Sequence, residues 1–255
     1  MIRRFPVEQL KPGQTEIRLS DSDARHLKHV LRLKPGEIIR VFDGKGREYD
    51  ARISGMENEE IRAVLMQESE SDPAFQVESP VHITLAQGFL KEKKMDDLLP
   101  ALTELGINRW IPFIAQRSVA RPDTKRMETR KQRWEKIAVE SLKQCRRTRV
   151  PEITDTVSFA QMLDMAEDCD LRLIFWEGLA DPEIAGNCFV LEKNQDYQRI
   201  FAAIGPEGGF SPEETDLAVK AGFQTGGLGP RILRAETAAI AVCTLLQHCF
   251  GDLSV

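Results

Sequence analysis

The sequence has few cysteines, and none of them stand at a metal-binding spacing. Its five cysteines among 255 residues are scattered, form no CxxC pair and are odd in number. This pattern argues against a structural zinc site and against a disulfide framework, and it favours reduced, buried thiols. We therefore expect a cytoplasmic protein.

Long apolar runs are also missing. No run approaches the ~20 residues of a membrane span, and the N-terminal MIRRFPVEQL lacks the apolar stretch of a signal peptide. We find no internal repeat or low-complexity tract. With 42% hydrophobic and 29% charged residues, the composition is typical of a soluble globular protein of one large or two ordinary domains.

The net charge of −5 hides two segments of opposite sign. Residues 117–149 contain twelve Lys or Arg against four Asp or Glu, a balance of +8, whereas residues 151–227 contain four against fifteen, a balance of −11. A basic segment of this kind indicates either a solvated helix face or a nucleic-acid-binding surface. Charge alone leaves both interpretations open.

Residues 1–72 predict a small, mainly β module. The stretch EIIRVFDGKGREYDARI has the signals of a β-hairpin, and SDARHLKHVLRLKPG predicts a short helix that Ser20 or Ser22 could cap. We expect a small barrel with one helix, followed by a polar linker at 73–80. The module also carries a cluster of basic residues: Arg25, Lys28, Arg32, Lys34, Arg40, Lys45 and Arg47.

From Val81 onward, predicted strands alternate with predicted helices. This alternation indicates an α/β domain with a parallel sheet over residues 81–255. The last helix, ETAAIAVCTLLQHCF, is nearly all apolar. Such a helix must be buried, either in its own core or against a second copy of the chain.

Two glycine-rich loops follow strands of this domain. The first, IGPEGGFSPEE, runs from a strand through Gly205–Gly209 into a helix whose Ser211 and Glu214 form a capping box. The second, GGLGPRILRAETAAIAV, repeats the arrangement about twenty residues later. Neither fits the P-loop or the GxGxxG pattern. One glycine pair could simply make a tight turn, but two such loops at strand ends predict a crevice for a neutral or zwitterionic ligand such as an adenosine.

These two loops closely resemble the paired C-terminal motifs of the RsmE-type methyltransferases of the SPOUT superfamily, bacterial enzymes that methylate N3 of a uridine in 16S ribosomal RNA. The stretches RRFPV, RHLKHVLRLKPGE and FDGKGREYDARI resemble their N-terminal opening and PUA-like barrel. TELG, QRSVA and RWEKIAVES resemble the front half of their catalytic domain. Two positions depart from the family pattern, since Ala101 stands where a lysine is usual and Arg146 where a glycine is usual.

The resemblance implies a trefoil-knotted α/β catalytic domain, an exception to the rule against knots. It also implies a homodimer that binds S-adenosylmethionine among the knot loops and takes 16S rRNA of the small ribosomal subunit as its partner. Carried over by position, the cofactor-binding residues are Leu85, Gly205, Pro206, Glu207, Gly208, Gly209, Leu228, Gly229, Ile232, Leu233, Arg234 and Thr237.

Methyl transfer to uridine N3 needs a group that removes the N3 proton or stabilises the resulting anion. A carboxylate could act as the base, with Glu104, Glu140 and Glu207 as candidates. A guanidinium could stabilise the anion, with Arg117, Arg147, Arg231 and Arg234 as candidates. Of these, we select Glu104, Glu140, Arg147 and Arg234 as candidate catalytic residues, and the choice of base stays open. The sulfonium supplies the driving force, so no metal is expected.

RNA binding is expected in both predicted domains. The candidate RNA-binding residues are Arg25, His26, Lys28, Arg32, Arg117, Arg147 and Arg231. Because N3 is hidden inside a duplex, the target must be single-stranded or extruded. Two alternatives remain: a related methyltransferase that acts on tRNA or on another atom, and a non-catalytic RNA-binding factor of ribosome assembly. No membrane partner is expected.

Overall fold

The computed structural model describes residues 2–8, 10–11, 13–57, 60–68, 77–119, 123–176 and 196–253. The chain divides into two compact units. The first unit comprises Met1–Glu78 and Val139–Val150, and the second comprises Ser79–Ala138 and Pro151–Val255. Residues 73–76, half of the predicted linker at 73–80, lie outside the described residues.

The first unit contains one five-stranded sheet with the order β1-β3-β4-β5-β2. Its strands are β1 (Arg4–Pro6), β2 (Glu16–Arg18), β3 (Ile38–Phe42), β4 (Glu48–Glu57) and β5 (Glu60–Glu68). The predicted hairpin is confirmed, since β3 and β4 pair in antiparallel fashion from Ile38 opposite Arg52 to Phe42 opposite Glu48. Alternate residues of these strands point inward, as expected for a sheet with one buried face. They form the core of this unit together with Leu10, Leu19 and Leu27.

The predicted helix of the first unit is present but changes its winding. Helix α1 (Asp21–Arg25) is capped by Ser20, whose Oγ accepts a hydrogen bond from the N–H of Asp23. It continues as a π-helix over His26–Leu31 and ends at Arg32, which has a left-handed φ of 53°. Leu27 is buried on the inner side of this segment.

The second unit is built on a parallel sheet with the order β12-β10-β11-β6-β7-β8, and β9 also pairs with β7. Its strands are β6 (His82–Gly88), β7 (Arg109–Ile114), β8 (Glu152–Ile153), β9 (Val157–Ser158), β10 (Leu171–Phe175), β11 (Arg199–Ile204) and β12 (Gln224–Gly226). Central strands such as β11 are buried along almost their whole length, as is usual when helices cover both faces of a parallel sheet. The predicted α/β class is confirmed.

Among the residues that the structure describes, five further α-helices follow α1 and the π-helix. They are α2 (Lys94–Glu104), α3 (Thr124–Cys145), α4 (Phe159–Asp164), α5 (Pro212–Lys220) and α6 (Ala235–Phe250). The last turns of α3, from Val139, belong to the first unit. In the second unit, the Trp134 ring of α3 packs edge-on against Trp110 of β7, with 5.1 Å between ring centroids.

Helix α6 buries one face and exposes the other. Val242, Cys243 and Leu246 are fully buried, and α6 contacts α2, β6 and β11. On the opposite face, Ile240 is 38% exposed and Leu245 is 39% exposed. The core of the second unit therefore leaves part of the apolar surface of this helix exposed.

The cysteines of the described residues form no disulfide with one another, and Cys188 lies outside those residues. Burial raises the pKa of the Cys243 thiol to about 12. No helix in the described part of the chain is long and apolar enough to cross a membrane.

Candidate functional site

The two glycine-rich loops line one cavity of the second unit. Loop 205–209 follows β11, and loop 227–234 follows β12 and leads into α6. Parallel strands end at the same edge of a sheet, so the loops that follow them meet there. The cavity has a volume of about 480 Å³. This lies within the usual range of small-molecule sites, about 300–1,000 Å³.

The end of strand β10 lies between the two loops. The sheet order places β10 between β11 and β12, and Phe175 and Trp176 at its carboxyl end line the cavity. The sequence predicts this strand, but its end is not among the predicted cofactor-binding residues. The signal was present, because a third parallel strand must end at the same edge of the sheet.

Two positions in the loops show why glycine is required there. A Cβ on Gly208 would stand 3.0 Å from both Cβ and the carbonyl oxygen of Arg117, so a larger side chain would push the loop away. Gly229 has a φ of +82°, a conformation that side chains rarely adopt. The loops therefore present bare backbone to the cavity.

Hydrogen bonds hold the N-terminus of α5, the helix that follows the first loop. Ser211 and Glu214 form the predicted capping box of α5, with Pro212 in the first turn. The buried Glu214 also accepts a hydrogen bond from the N–H of Gln116, at 2.8 Å from its Oε1. This carboxylate thus joins the chain after β7 to the helix that ends the loop.

A lysine that the sequence analysis missed joins the two loops. Lys94, at the start of α2, lines the cavity, and its Nζ lies 3.3 Å from Glu207 Oε1 and 3.4 Å from Glu236 Oε1. Glu207 belongs to the first loop, and Glu236 lies in the first turn of α6, directly after the second loop. The N–H of Lys91 also donates to Glu207 Oε1, at 3.1 Å.

This arrangement favours the charged forms of both partners. Burial opposes ionisation of Glu207, but the N–H of Lys91, its own N–H and the Lys94 ammonium outweigh it and lower the pKa of the Glu207 carboxyl. Burial likewise opposes the charge on Lys94, whereas Glu207 and Glu236 raise the pKa of its ammonium. Glu207 is therefore a weaker base than an ordinary glutamate and acts as an anchor of the first loop.

A second anchor comes from the end of β6. The side chain of Gln87 is fully buried, and its Nε2 donates to the carbonyl oxygens of Gly205, at 3.2 Å, and Gly88, at 3.0 Å. A Cβ on Gly88 would stand 2.4 Å from the backbone nitrogen of Pro206. Strand β6 and the first loop therefore touch along bare backbone.

Most of the predicted cofactor-binding residues meet in this cavity. Those that line it are Gly205, Pro206, Glu207, Gly208, Gly209, Leu228, Gly229, Ile232, Leu233 and Arg234. Leu85 is buried within the sheet opposite Ala202, and Thr237 is exposed on the first turn of α6. These two residues do not line the cavity. Lys94, Ile204, Gly226, Gly227, Ala235 and Ala238 line it without having been predicted.

The predicted catalytic residues lie in different surroundings. Arg234 lines the cavity at the N-terminal end of α6, and Glu104 is exposed at the C-terminal end of α2. Glu140 belongs to the first unit, where its Oε1 lies 2.7 Å from Lys143 Nζ. Arg147, also in the first unit, is only 3% exposed and pairs with Glu78, at 3.0 Å.

The predicted RNA-binding residues other than Arg147 are all exposed. Arg25, His26, Lys28 and Arg32 lie on α1, the π-helix and the residue that ends it. In the second unit, Arg231 lines the cavity and Arg117 Nη1 donates to the carbonyl oxygen of Gly208, at 3.3 Å. Two guanidinium groups besides Arg234 therefore lie at or beside the first and second loops.

The cavity combines backbone polar groups, an apolar wall and cations at its rim. Phe175, Trp176 and Ile204 offer apolar surface to a flat ring, and the glycine loops offer N–H and C=O groups. Arg231 and Arg234 can stabilise negative charge that develops on a substrate. Such a site suits a nucleoside-like cofactor and an acceptor that becomes anionic.

Family models and solved structures match this architecture. Residues 77–247 match the model of the RNA methyltransferase domain, and residues 19–66 match that of the RNA methyltransferase PUA domain. The chain resembles the crystal structure of ribosomal RNA small subunit methyltransferase E from Neisseria gonorrhoeae bound to S-adenosylmethionine, with a TM-score of 0.86 and 32% identity over 100% of both chains. A Legionella pneumophila structure with the same bound cofactor has a TM-score of 0.84 and 30% identity, over 99% of this chain and 100% of that one.

Curated relatives agree with these matches. The ribosomal RNA small subunit methyltransferase E of Bacillus subtilis (strain 168) is 28% identical over 97% of this chain and 96% of its own length. That of Buchnera aphidicola subsp. Schizaphis graminum (strain Sg) is 30% identical over 93% of this chain and 92% of its own length. The similarity therefore extends over both units.

Proposed function

Since the chain belongs to the RNA methyltransferase family of the ribosomal RNA small subunit methyltransferase E type, we propose that it transfers a methyl group from S-adenosylmethionine to N3 of a uridine in 16S ribosomal RNA. The observation that carries the proposal is the cavity of about 480 Å³ that the loops 205–209 and 227–234 line together. The PUA-domain match in the first unit supports RNA as the substrate class.

The residues of the cavity fit the cofactor. The backbone groups of both glycine loops would hold its adenosine and methionine parts, with Phe175, Trp176 and Ile204 against the flat adenine ring. A Cβ on Gly208 would stand 3.0 Å from Arg117, so any side chain there would require the loop or Arg117 to shift. When bound, the cofactor supplies a methyl group on a sulfonium, and the enzyme must align this group with the acceptor nitrogen.

The protein must also make uridine N3 nucleophilic. Glu207 is bound to Lys94 and to the N–H of Lys91, which makes it unsuited to accept the N3 proton. Arg234, assisted by Arg231, would instead stabilise the negative charge that spreads over the uracil carbonyl oxygens. This favours loss of the N3 proton to solvent or to a carboxylate, for which Glu104 remains a candidate, whereas Glu140 belongs to the first unit.

A second copy of the chain is part of the proposal. The exposed face of α6, with Ile240 and Leu245, would pack against the same face of the partner. Light scattering of the purified protein should give twice the mass of the 28.9 kDa chain. Because the proposed substrate is part of the small ribosomal subunit, the proposal includes a cytoplasmic location.

Mass spectrometry of ribosomal nucleosides tests the activity. Deletion of the gene should remove 3-methyluridine from 16S rRNA, and expression of the protein should restore it. Persistence of that nucleoside in the deletion strain, with loss of a modification in tRNA, would instead favour a related methyltransferase. Calorimetry should show binding of S-adenosylmethionine, and its absence would favour a non-catalytic assembly factor.

A further inference from the structure

The first unit contains a cavity of its own, with a volume of about 390 Å³. The N-terminal residues of the chain, α1, the π-helix and the end of α3 surround it. The residues that line it are Ile2, Arg3, Arg4, Phe5, Ser22, Asp23, His26, Leu31, Glu140 and Lys143. The cavity is large enough for one nucleotide, since small-molecule sites begin at about 300 Å³.

Two of the cations that line this cavity, Arg4 and Lys143, already bind other groups of the protein. Arg4 Nε donates to Glu48 Oε1 at 2.7 Å, and its guanidinium also donates to the carbonyl oxygens of Leu142 and Arg147. Lys143 Nζ lies 2.8 Å from Asp23 Oδ1. Arg4 and Lys143 are therefore committed to partners inside the protein.

Other polar groups remain available to a ligand. Arg3 and His26 are exposed, and the described residues show no ion pair to either side chain. The Glu140 side chain is 64% exposed. Its Oε1 accepts from Lys143, and a carboxylate has about four acceptor positions in all. The cavity thus offers one guanidinium, one imidazole and one carboxylate acceptor.

Apolar side chains also line the cavity. Ile2 is 44% exposed, Leu31 is half-buried and Phe5 is buried. Apolar surface of this kind packs against the face of a nucleobase, and every base has such a face. A free phosphate would leave this part of the cavity unused.

We propose that this cavity binds one nucleotide of a single-stranded segment of the RNA substrate, with its phosphate at Arg3 and His26 and its base against Ile2 and Leu31. Glu140 accepts a hydrogen bond from an exocyclic amine of the base. Uracil has no such amine, so this nucleotide is not the methylated uridine but another residue of the same RNA. The identity of that RNA rests on the proposed function.

Binding of short ligands to the full-length protein tests the cavity directly. Cytidine and uridine 5′-monophosphates differ in the exocyclic amine, so the cytidine compound should bind about fivefold more tightly, as expected for one exposed, charge-assisted hydrogen bond. In Glu140→Gln this preference should fall to about twofold. Heptacytidylate should bind more tightly than the monophosphate and lose affinity steeply as salt rises.

Reversing the charge of single arginines tests whether the nucleotide binds in this cavity. Arg3→Glu should weaken binding of both cytidine ligands about tenfold, because it replaces a phosphate-binding cation with an anion. Arg52→Glu makes the same charge change at an exposed position of β4 outside the cavity and should change affinity less than twofold. Equal effects of the two variants would overturn the proposal. Equal affinity for monophosphate and heptamer would also overturn it and indicate a free-nucleotide site.

The methylation assay separates this proposal from the proposed function. Suppose that the wild-type protein forms 3-methyluridine, that no nucleotide binds in the first-unit cavity, and that Arg3→Glu is as active as wild type at limiting RNA. These results would refute nucleotide binding in the cavity and leave the proposed function intact. Selective binding of the cytidine ligands without any 3-methyluridine would instead refute the proposed function. Hydrogen exchange of residues 38–57 in each variant confirms that the first unit is folded.

Discussion

The two cavities of this protein differ in what lines them. The cavity of the second unit is lined mainly by glycines and apolar residues, with four charged side chains among them. Half of the residues that line the cavity of the first unit are charged, and Lys143 pairs there with Asp23 and Glu140. Backbone groups suit a single cofactor of fixed shape, whereas side-chain charges suit a flexible polyanion. The difference supports the proposed roles, with the cofactor in the second unit and an RNA contact in the first.

The largest effect should follow from loss of the buried ion pair of the first unit. Glu78 accepts hydrogen bonds from the Arg147 side chain and from the N–H groups of Thr148 and Arg149. Arg147→Met should destabilise this unit by about 3 kcal/mol, because it leaves a carboxylate without its buried cation. Hydrogen exchange of residues 38–57 measures the loss of stability of the first unit.

The exposed Arg149→Met is the control, since its backbone bond to Glu78 is retained. If Arg147 is structural, Arg147→Met should still bind S-adenosylmethionine with an affinity within about twofold of wild type. Normal stability together with a lost methyl-transfer rate would show that the predicted catalytic role of Arg147 is right.

The next largest effect should come from the first glycine loop. Gly208→Val should lower the affinity for S-adenosylmethionine at least about a hundredfold, about 2.8 kcal/mol, because its side chain collides with Arg117 and displaces the loop. Calorimetry measures the affinity, and circular dichroism checks the fold. Gly55→Val, at a position of β4 with no atom within 4 Å of the added Cβ, should bind normally. Unchanged affinity of Gly208→Val would show that this loop does not bind the cofactor.

A smaller effect is expected from Lys94, which joins the two loops. Lys94→Met should weaken binding of S-adenosylmethionine about fivefold, about 1 kcal/mol, since its two ion pairs are partly exposed. Lys94→Arg should restore most of the affinity. Lys91→Met is the control: it keeps the backbone N–H that donates to Glu207, so it should bind S-adenosylmethionine normally. Equal binding by Lys94→Met and Lys91→Met would contradict a role of Lys94 in positioning the loops.

The smallest effect concerns the titration of Glu207. Its pKa lies below the ordinary value of 4.5, so its ion pair with Lys94 persists at neutral pH and is lost only as the pH falls through that lowered pKa. Lys94→Met should raise the pKa of Glu207 toward 4.5. Carbon NMR of the labelled carboxyl measures both values, and an identical pKa in the two proteins would argue against the ion pair.

The regular elements and the glycine loops were predictable from local patterns. The β3–β4 hairpin, the capping box at Ser211 and the alternation of strands and helices all depend on residues close in the chain. The two loops were recognisable because each places several glycines directly after a predicted strand, where bare backbone can approach a ligand. Both loops do line one cavity.

Contacts between distant residues were not predictable in the same way. Lys94 lies in a lysine-rich stretch and differs from Lys91 and Lys93 only through its contacts with Glu207 and Glu236. Residues 139–150 belong to the first unit, where Arg147 pairs with Glu78 across 69 positions of the chain and Lys143 pairs with Asp23 across 120. Periodicity and capping signals report only local neighbours.

Methylation of isolated small ribosomal subunits tests the central claim most directly. Subunits from a strain that lacks the gene are incubated with the purified protein and isotopically labelled S-adenosylmethionine, and their 16S rRNA is analysed by mass spectrometry. We predict that the label appears as 3-methyluridine at one position, and that Gly208→Val transfers none. Label on another atom or in tRNA, or no transfer by the wild-type protein, would contradict this account.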